Sequence, residues 1–175
     1  MDATDRLAHV EQAARYKLPP STRVLVAREL RRLSRLLDPN ERLATLAQGR
    51  MDEATGLVAL TDRRIVFIGR QLIVEERVLH AQRAMFLFGD VKKVEAEQRA
   101  LSGALVVHLK RGRTTFSDIN PPERAAEIAA LCRARIAAER KAKRGAAARG
   151  RGLGPAATVA LAAAAGEAAP LLGDD

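Results

Sequence analysis

Catalysis by side chains needs a nucleophile, a base or a metal cluster that the fold can bring together, and the histidines are the first candidates. They are His9, His80 and His108. None has a second histidine four residues away, as a metal-binding helix would require, and a histidine within VVHLK at 106–110 reads as a residue on a strand face. Glu75 and Glu76 are adjacent, so on a strand they point to opposite faces and do not share a proton. The single cysteine, Cys132, allows no internal disulfide, zinc ribbon or redox pair. Gly150, Gly152 and Gly154 lack the strand and helix that a phosphate-binding loop needs. The chemistry of the chain therefore predicts no catalytic site, no metal and no cofactor, and a function other than that of an enzyme.

Charge offers a different chemistry. The chain of 175 residues carries 30 Lys and Arg against 21 Asp and Glu, a formal charge of +9. Much of the excess sits in Arg140, Lys141, Lys143 and Arg144, with Arg149 and Arg151 beyond. Such a basic tail can attract nucleic acid or anionic lipid, but it also reads as a solvated helix end whose cations suit the negative pole of the helix dipole. A second group, Arg28, Arg31, Arg32 and Arg35, falls opposite an apolar stripe of Val26, Leu30, Leu33 and Leu37. A helix of that kind can lie on an anionic membrane surface, or pack on its own domain with its arginines in water.

Those residues must be held by elements. Spacing of Ala3, Leu7, Val10, Ala14 and Leu18 predicts a helix over 3–18, ended by Pro19 and Pro20. A second helix is expected from a Ser21 cap to about Asp38. From Glu41 the period becomes strand-like, in short runs at 42–47, 56–60, 64–68, 72–74, 77–79, 85–88, 91–94, 104–109 and 113–116. Gly49, Asp62, Gly69, Gly89, Asp90, Ser102, Gly103 and Gly112 are taken as punctuation between them. About seven strands in an antiparallel meander follow, with all four phenylalanines inside it. Asn120, Pro121, Pro122 and Glu123 spell a helix start, and the helix is expected to reach about Arg144. Its stripe of Ala125, Ile128, Cys132 and Ile136 can cover one opening of a small barrel, which makes Cys132 a buried apolar residue. From Gly145 the chain turns to Ala, Gly and Pro, predicting disorder with a loose helix at 156–165. The expected organisation is a helical segment at 1–37, a barrel with its capping helix at 38–144 and a low-complexity tail at 145–175. With 34 alanines and only five aromatics, the core is aliphatic and modest. A polar N-terminus and the lack of a long apolar run predict no signal peptide and no membrane span, hence a cytosolic address.

The stretch GLVALTDRRIVF, Gly56 to Phe67, resembles the signature hairpin of bacterial pleckstrin-homology-like domains of the YokE type. Gly56, Thr61, Asp62, Arg64, Ile65 and Phe67 match its pattern, and Asp90 to Val94, Gly112, Phe116 and the helix from Pro121 follow in the family's order. The resemblance covers about residues 38–138. It implies an α+β fold, a small antiparallel β-barrel capped by a C-terminal helix and preceded by two N-terminal helices. The hairpin itself reads as structural, Thr61 and Asp62 accepting from the turn's backbone and Arg64 bracing it. Phosphoinositide binding through the loop joining the first two strands is not expected, because that loop, Gly49 to Thr55, offers Arg50 alone against Asp52 and Glu53.

The leading functional expectation is a non-catalytic cytosolic binding or scaffolding module, engaging a protein partner or another copy of itself. The alternatives are a peripheral protein of anionic membranes, docked through the basic helix or the tail, and a non-specific nucleic-acid binder using the tail. Against the last, no stacking aromatic is interleaved with the cations from Arg133 to Arg151.

Overall fold

The computed structural model describes residues 2–73 and 78–151. It divides into two units, Met1–Glu139 and Arg140–Asp175, and the sheet and the helices before it belong to the first. Helix α1 spans Ala3–Lys17, opened by a reciprocal cap in which the Asp2 and Asp5 side chains each accept from the other's backbone amide. The second helix expected from the sequence is two. Helix α2, Pro20–Leu25, starts on a proline at its first position rather than on a Ser21 cap, and Val26 (φ −100°, ψ 14°) breaks the path before α3, Ala27–Leu36. Three helices therefore precede the sheet.

Seven strands follow: β1 Leu43–Met51, β2 Ala54–Thr61, β3 Arg64–Ile73, β4 Val78–Leu87, β5 Val91–Gln98, β6 Gly103–Leu109 and β7 Arg113–Asn120. All neighbours are antiparallel, in the order β4-β3-β2-β1-β7-β6-β5. Pairing of β1 with both β2 and β7 joins the meander into a half-barrel whose ends, β4 and β5, have no further strand partner among the described residues. Helix α4, Glu123–Arg151, closes the order. The fold is α+β, a curled antiparallel sheet with a C-terminal helix, as the pleckstrin-homology-like resemblance implies, though a half-barrel rather than a closed one.

Several boundaries differ from the sequence reading. Residues 72–74 and 77–79 are not short strands of their own: they extend β3 to Ile73 and begin β4 at Val78, so His80 lies within a strand. Gly49 and Gly69 are strand interiors. The Gly69 backbone sits opposite Gly56, where a Cβ would fall 2.1 Å from the Ile68 carbonyl oxygen, so this pair requires glycine for close approach rather than for a turn. The loop joining β1 and β2 shrinks to Asp52 and Glu53. Asn120 is the last residue of β7, opposite Gln48, and the helix begins three residues later at Glu123. Helix α4 runs past Arg144 to Arg151, so residues 145–151 are helical; residues 152–175, with the loose helix read at 156–165, lie outside the described residues.

Two cores share one wall. Inside the half-barrel, Val58, Leu60, Ile65, Phe67, Leu105, Val107, Phe116 and Ile119 meet Ala125, Ile128, Ala129, Cys132 and Ile136 of α4. Phe67 and Phe116 stack obliquely at 5.9 Å, and Phe86 meets Phe116 edge-on at 6.1 Å. On the opposite face of β1–β3, Leu43, Leu46, Leu57, Ala59, Val66 and Ile68 pack against Val10, Ala14, Leu18, Val26, Leu30, Leu33 and Leu37. Burial on both faces explains why β2 reads as a near-continuous apolar run without alternation.

Candidate functional site

The family-motif hairpin is an anchor. Thr61 Oγ1 accepts from the Arg63 and Arg64 amides at 3.1 and 3.0 Å and donates to the Arg64 carbonyl at 3.1 Å. Asp62 Oδ1 accepts from the Arg42 amide. Arg64 reaches away from the turn: its Nε and one terminal nitrogen donate to the two oxygens of Glu41 at 2.9 and 2.6 Å, and the same nitrogen donates to the Leu36 carbonyl at the end of α3. Glu41 is fully buried. Burial alone would raise its carboxyl pKa, but hydrogen bonds from Arg64, Thr61 and the Asp38 amide, with the Arg64 charge, hold it below the usual range. The same contacts raise the Arg64 pKa, the Glu41 hydrogen bonds foremost.

A matching pair fixes the other end of α3. Glu29, almost wholly buried, meets Arg70 of β3 with 2.6 Å between Oε1 and Nε. Arg64 and Arg70 thus bracket the outer face of β3 with two desolvated ion pairs. Sequence reading missed both carboxylates. Glu29 carried a signal, since it falls beside Leu30 on the stripe of Val26, Leu33 and Leu37; Glu41 carried none. A third junction joins α1, β1 and α4: Glu127 bonds Lys17 Nζ at 2.8 Å, Arg124, and Thr45 Oγ1 at 3.4 Å.

Pinned in this way, α3 presents Arg28, Arg31, Arg32 and Arg35 to solvent. None forms an ion pair among the described residues, nor does Arg83 on the neighbouring β4, whereas Arg63, Arg64, Arg70, Arg99 and Arg124 all do. Between α3 and β4 lies a groove of about 410 Å³ with Arg32, Arg35 and Arg83 around Leu36, Ile68 and Ala81.

Strand β4 bounds this groove and is one open end of the sheet, pairing among the described residues only with β3. From Ala81 to Leu87 its side chains alternate: Ala81, Arg83, Met85 and Leu87 are exposed on the outer face, while Gln82, Ala84 and Phe86 are half-buried on the inner one. Met85 and Leu87 are 42% and 55% exposed. A second cavity, of about 560 Å³ and mainly polar lining, lies where Gln82, Arg83, Ala84 and Phe86 face Asp52, Arg113 and Thr115. The edge strand therefore has hollow space on each side. Strand β5, the other end, is guarded by Lys92, Lys93, Glu95 and Glu97; β4 carries Arg83 as its one permanent charge.

The remaining sequence candidates do not converge. Arg140, Lys141, Lys143 and Arg144 are exposed on α4 in the second unit, and the Arg149 and Arg151 side chains lie outside the described ones. Glu75 and Glu76 also lie outside the described residues. His108 Nε2 is 2.7 Å from Glu95 Oε2, and Lys93 Nζ donates to Glu95 Oε1; hydrogen bonds from Lys93 first and His108 second lower the Glu95 pKa at this exposed site. Cys132 is fully buried, and desolvation pushes its thiol up to about 12. Among the described residues no three metal-binding side chains cluster, and no helix is long and apolar enough to cross a membrane.

No family model matches the chain, and no curated protein matches it in sequence. Among solved structures it is similar to the hSac2 domain from human phosphoinositide phosphatase Sac2, at 14% identity and a TM-score of 0.46 over 67% of this chain and 84% of that one. A likeness at that level carries no functional argument.

Proposed function

We propose that the chain is a non-catalytic, cytosolic, pleckstrin-homology-like binding or scaffolding module of the YokE type, which associates with polypeptide through the β4 edge. The observation that carries this reading is the contrast between the two sheet ends. An edge strand exposes a row of backbone donors and acceptors, and proteins that do not use such an edge break it with charges, as β5 does. Strand β4 is ten residues long, one-charged and apolar toward its exposed end. Its occupant is a protein partner or a second copy of the chain, whose antiparallel pairing across a two-fold axis would extend the sheet. The YokE-type assignment rests on Gly56, Thr61, Asp62, Arg64 and Phe67 in their hairpin register.

Sedimentation velocity over a concentration series, with amide exchange read strand by strand, tests the reading. Self-association that protects the β4 amides, and that Ala81→Lys with Leu87→Lys abolishes, supports it; association that leaves β4 exchange unchanged would sink the edge as the interface.

A second reading has its own observation, the four unpaired arginines of α3. Each cation near anionic headgroups contributes about 1 kcal/mol, enough together for peripheral membrane association. Co-sedimentation of the chain with anionic but not neutral vesicles, lost on substituting Arg28, Arg31, Arg32 and Arg35 by Gln, is the expected result.

A further inference from the structure

The reading just given leaves open what chemistry the β4 edge selects, and the groove on the outer face of that strand answers it. An added strand places successive side chains on opposite faces of the sheet. Those on the outer face would lie beside Arg83, with Arg32 and Arg35 across the groove. Those on the inner face would enter the hollow beside Ala84 and Phe86, whose far wall carries Asp52, Arg113 and Thr115 and so sets no apolar requirement. Three guanidiniums on the outer face, without an ion pair among the described residues, define the ligand's charge. We infer that the β4 edge takes an extended acidic segment of a partner protein, which pairs as an eighth strand with its carboxylates on the outer face.

Charge complementarity decides the occupant. Across a two-fold pairing of β4 with a second copy, the outer faces would bring Arg83 and its partner's equivalent onto one continuous surface already crowded by Arg32 and Arg35, none of which has an ion-pair partner among the described residues. An acidic strand relieves that repulsion, and planar guanidiniums bind carboxylates in bidentate fashion. A bilayer would meet the arginines but leave the backbone donors and acceptors of β4 to water, whereas an added strand pairs them directly.

The test uses the full chain and fluorescein-labelled ten-residue peptides. The first alternates glutamate and valine, the second has glutamine for each glutamate, and the third is the first N-methylated at alternate amides, which removes ladder donors but keeps the charge. Fluorescence anisotropy is expected to show binding of the first peptide, weakened about tenfold or more by Arg83→Gln or by Arg32→Gln with Arg35→Gln, and weakened again by salt. The second and third peptides should bind at least tenfold more weakly. Arg135→Gln on α4, which also removes one exposed cation, should change nothing.

Equal binding of the glutamate and glutamine peptides, insensitive to the arginine variants, would overturn the acidic specificity and leave the edge reading standing. Undiminished binding of the N-methylated peptide would overturn strand addition. Arginine-dependent binding of anionic vesicles without any peptide binding would assign the face to a membrane and overturn the inference. If no peptide binds and the chain self-associates through β4, the occupant is a second copy and the inference fails alone; if it stays monomeric as well, the edge reading fails with it.

Discussion

Glu41→Gln removes the charge that Arg64 answers while leaving the guanidinium in place, 15% exposed and tied to the Leu36 carbonyl. Breaking a buried pair from one side costs about 3 kcal/mol, so a clear fall in the urea midpoint is expected. The pair also sets a pH dependence. Because the folded carboxyl titrates below its unfolded value, its contribution is complete above the usual carboxylate range and is lost as pH falls through the folded pKa. The wild type should therefore lose more stability than Glu41→Gln between about pH 5 and about pH 3. Cys132, buried against the sheet with its thiol pushed up to about 12, should resist maleimide in the native state and label fully in denaturant. From the hairpin alone Arg64 reads as a brace of its own turn, whereas its side chain reaches away to the Leu36 carbonyl and to an acid. That acid could not be read from the sequence: Glu41 lies 23 residues away, outside any period.

Register and close packing govern the elements. Gly56→Ala would drive a methyl into the Ile68 carbonyl and the Gly69 backbone of the paired strand, and β3 must shift to admit it. A loss of about 2 kcal/mol is expected, read as a lower thermal midpoint with an unchanged near-native spectrum. Ile128 lies fully buried where α4 meets the barrel interior. Ile128→Glu should abolish helical and strand circular dichroism together; loss of helix alone, with strands melting at the original temperature, would show that α4 does not complete the core. Element type was legible because period changes from helical to strand-like at Glu41 and back at Glu123. Boundaries were less so. Gly69 mimicked a turn because its actual requirement, the approach of Gly56 across the sheet, joins residues 13 apart in sequence, and Val26 gave no sign of the break because its side chain still meets the apolar stripe.

For the molecule as a whole, the unpaired arginines on α3 and β4 are a net repulsive cluster, so they contribute no stability to the fold. Neutralising Arg31 and Arg35 to Gln should leave the melting temperature unchanged or raise it, while the glutamate peptide binds more weakly to the Arg35 variant. A fall in melting temperature would mean that these side chains have a structural role. The α+β architecture was visible in the sequence, but the open β4 edge was not, because the sequence orders strands without saying which two remain unpaired. The shared wall has a kinetic meaning too. Strands β1–β3 line both cores, so the helices cannot leave their face without stripping cover from amides that also roof the barrel. In deuterium the slowest-exchanging backbone should follow those three strands, and α1 and α3 should surrender their protection in the same opening event rather than in one of their own.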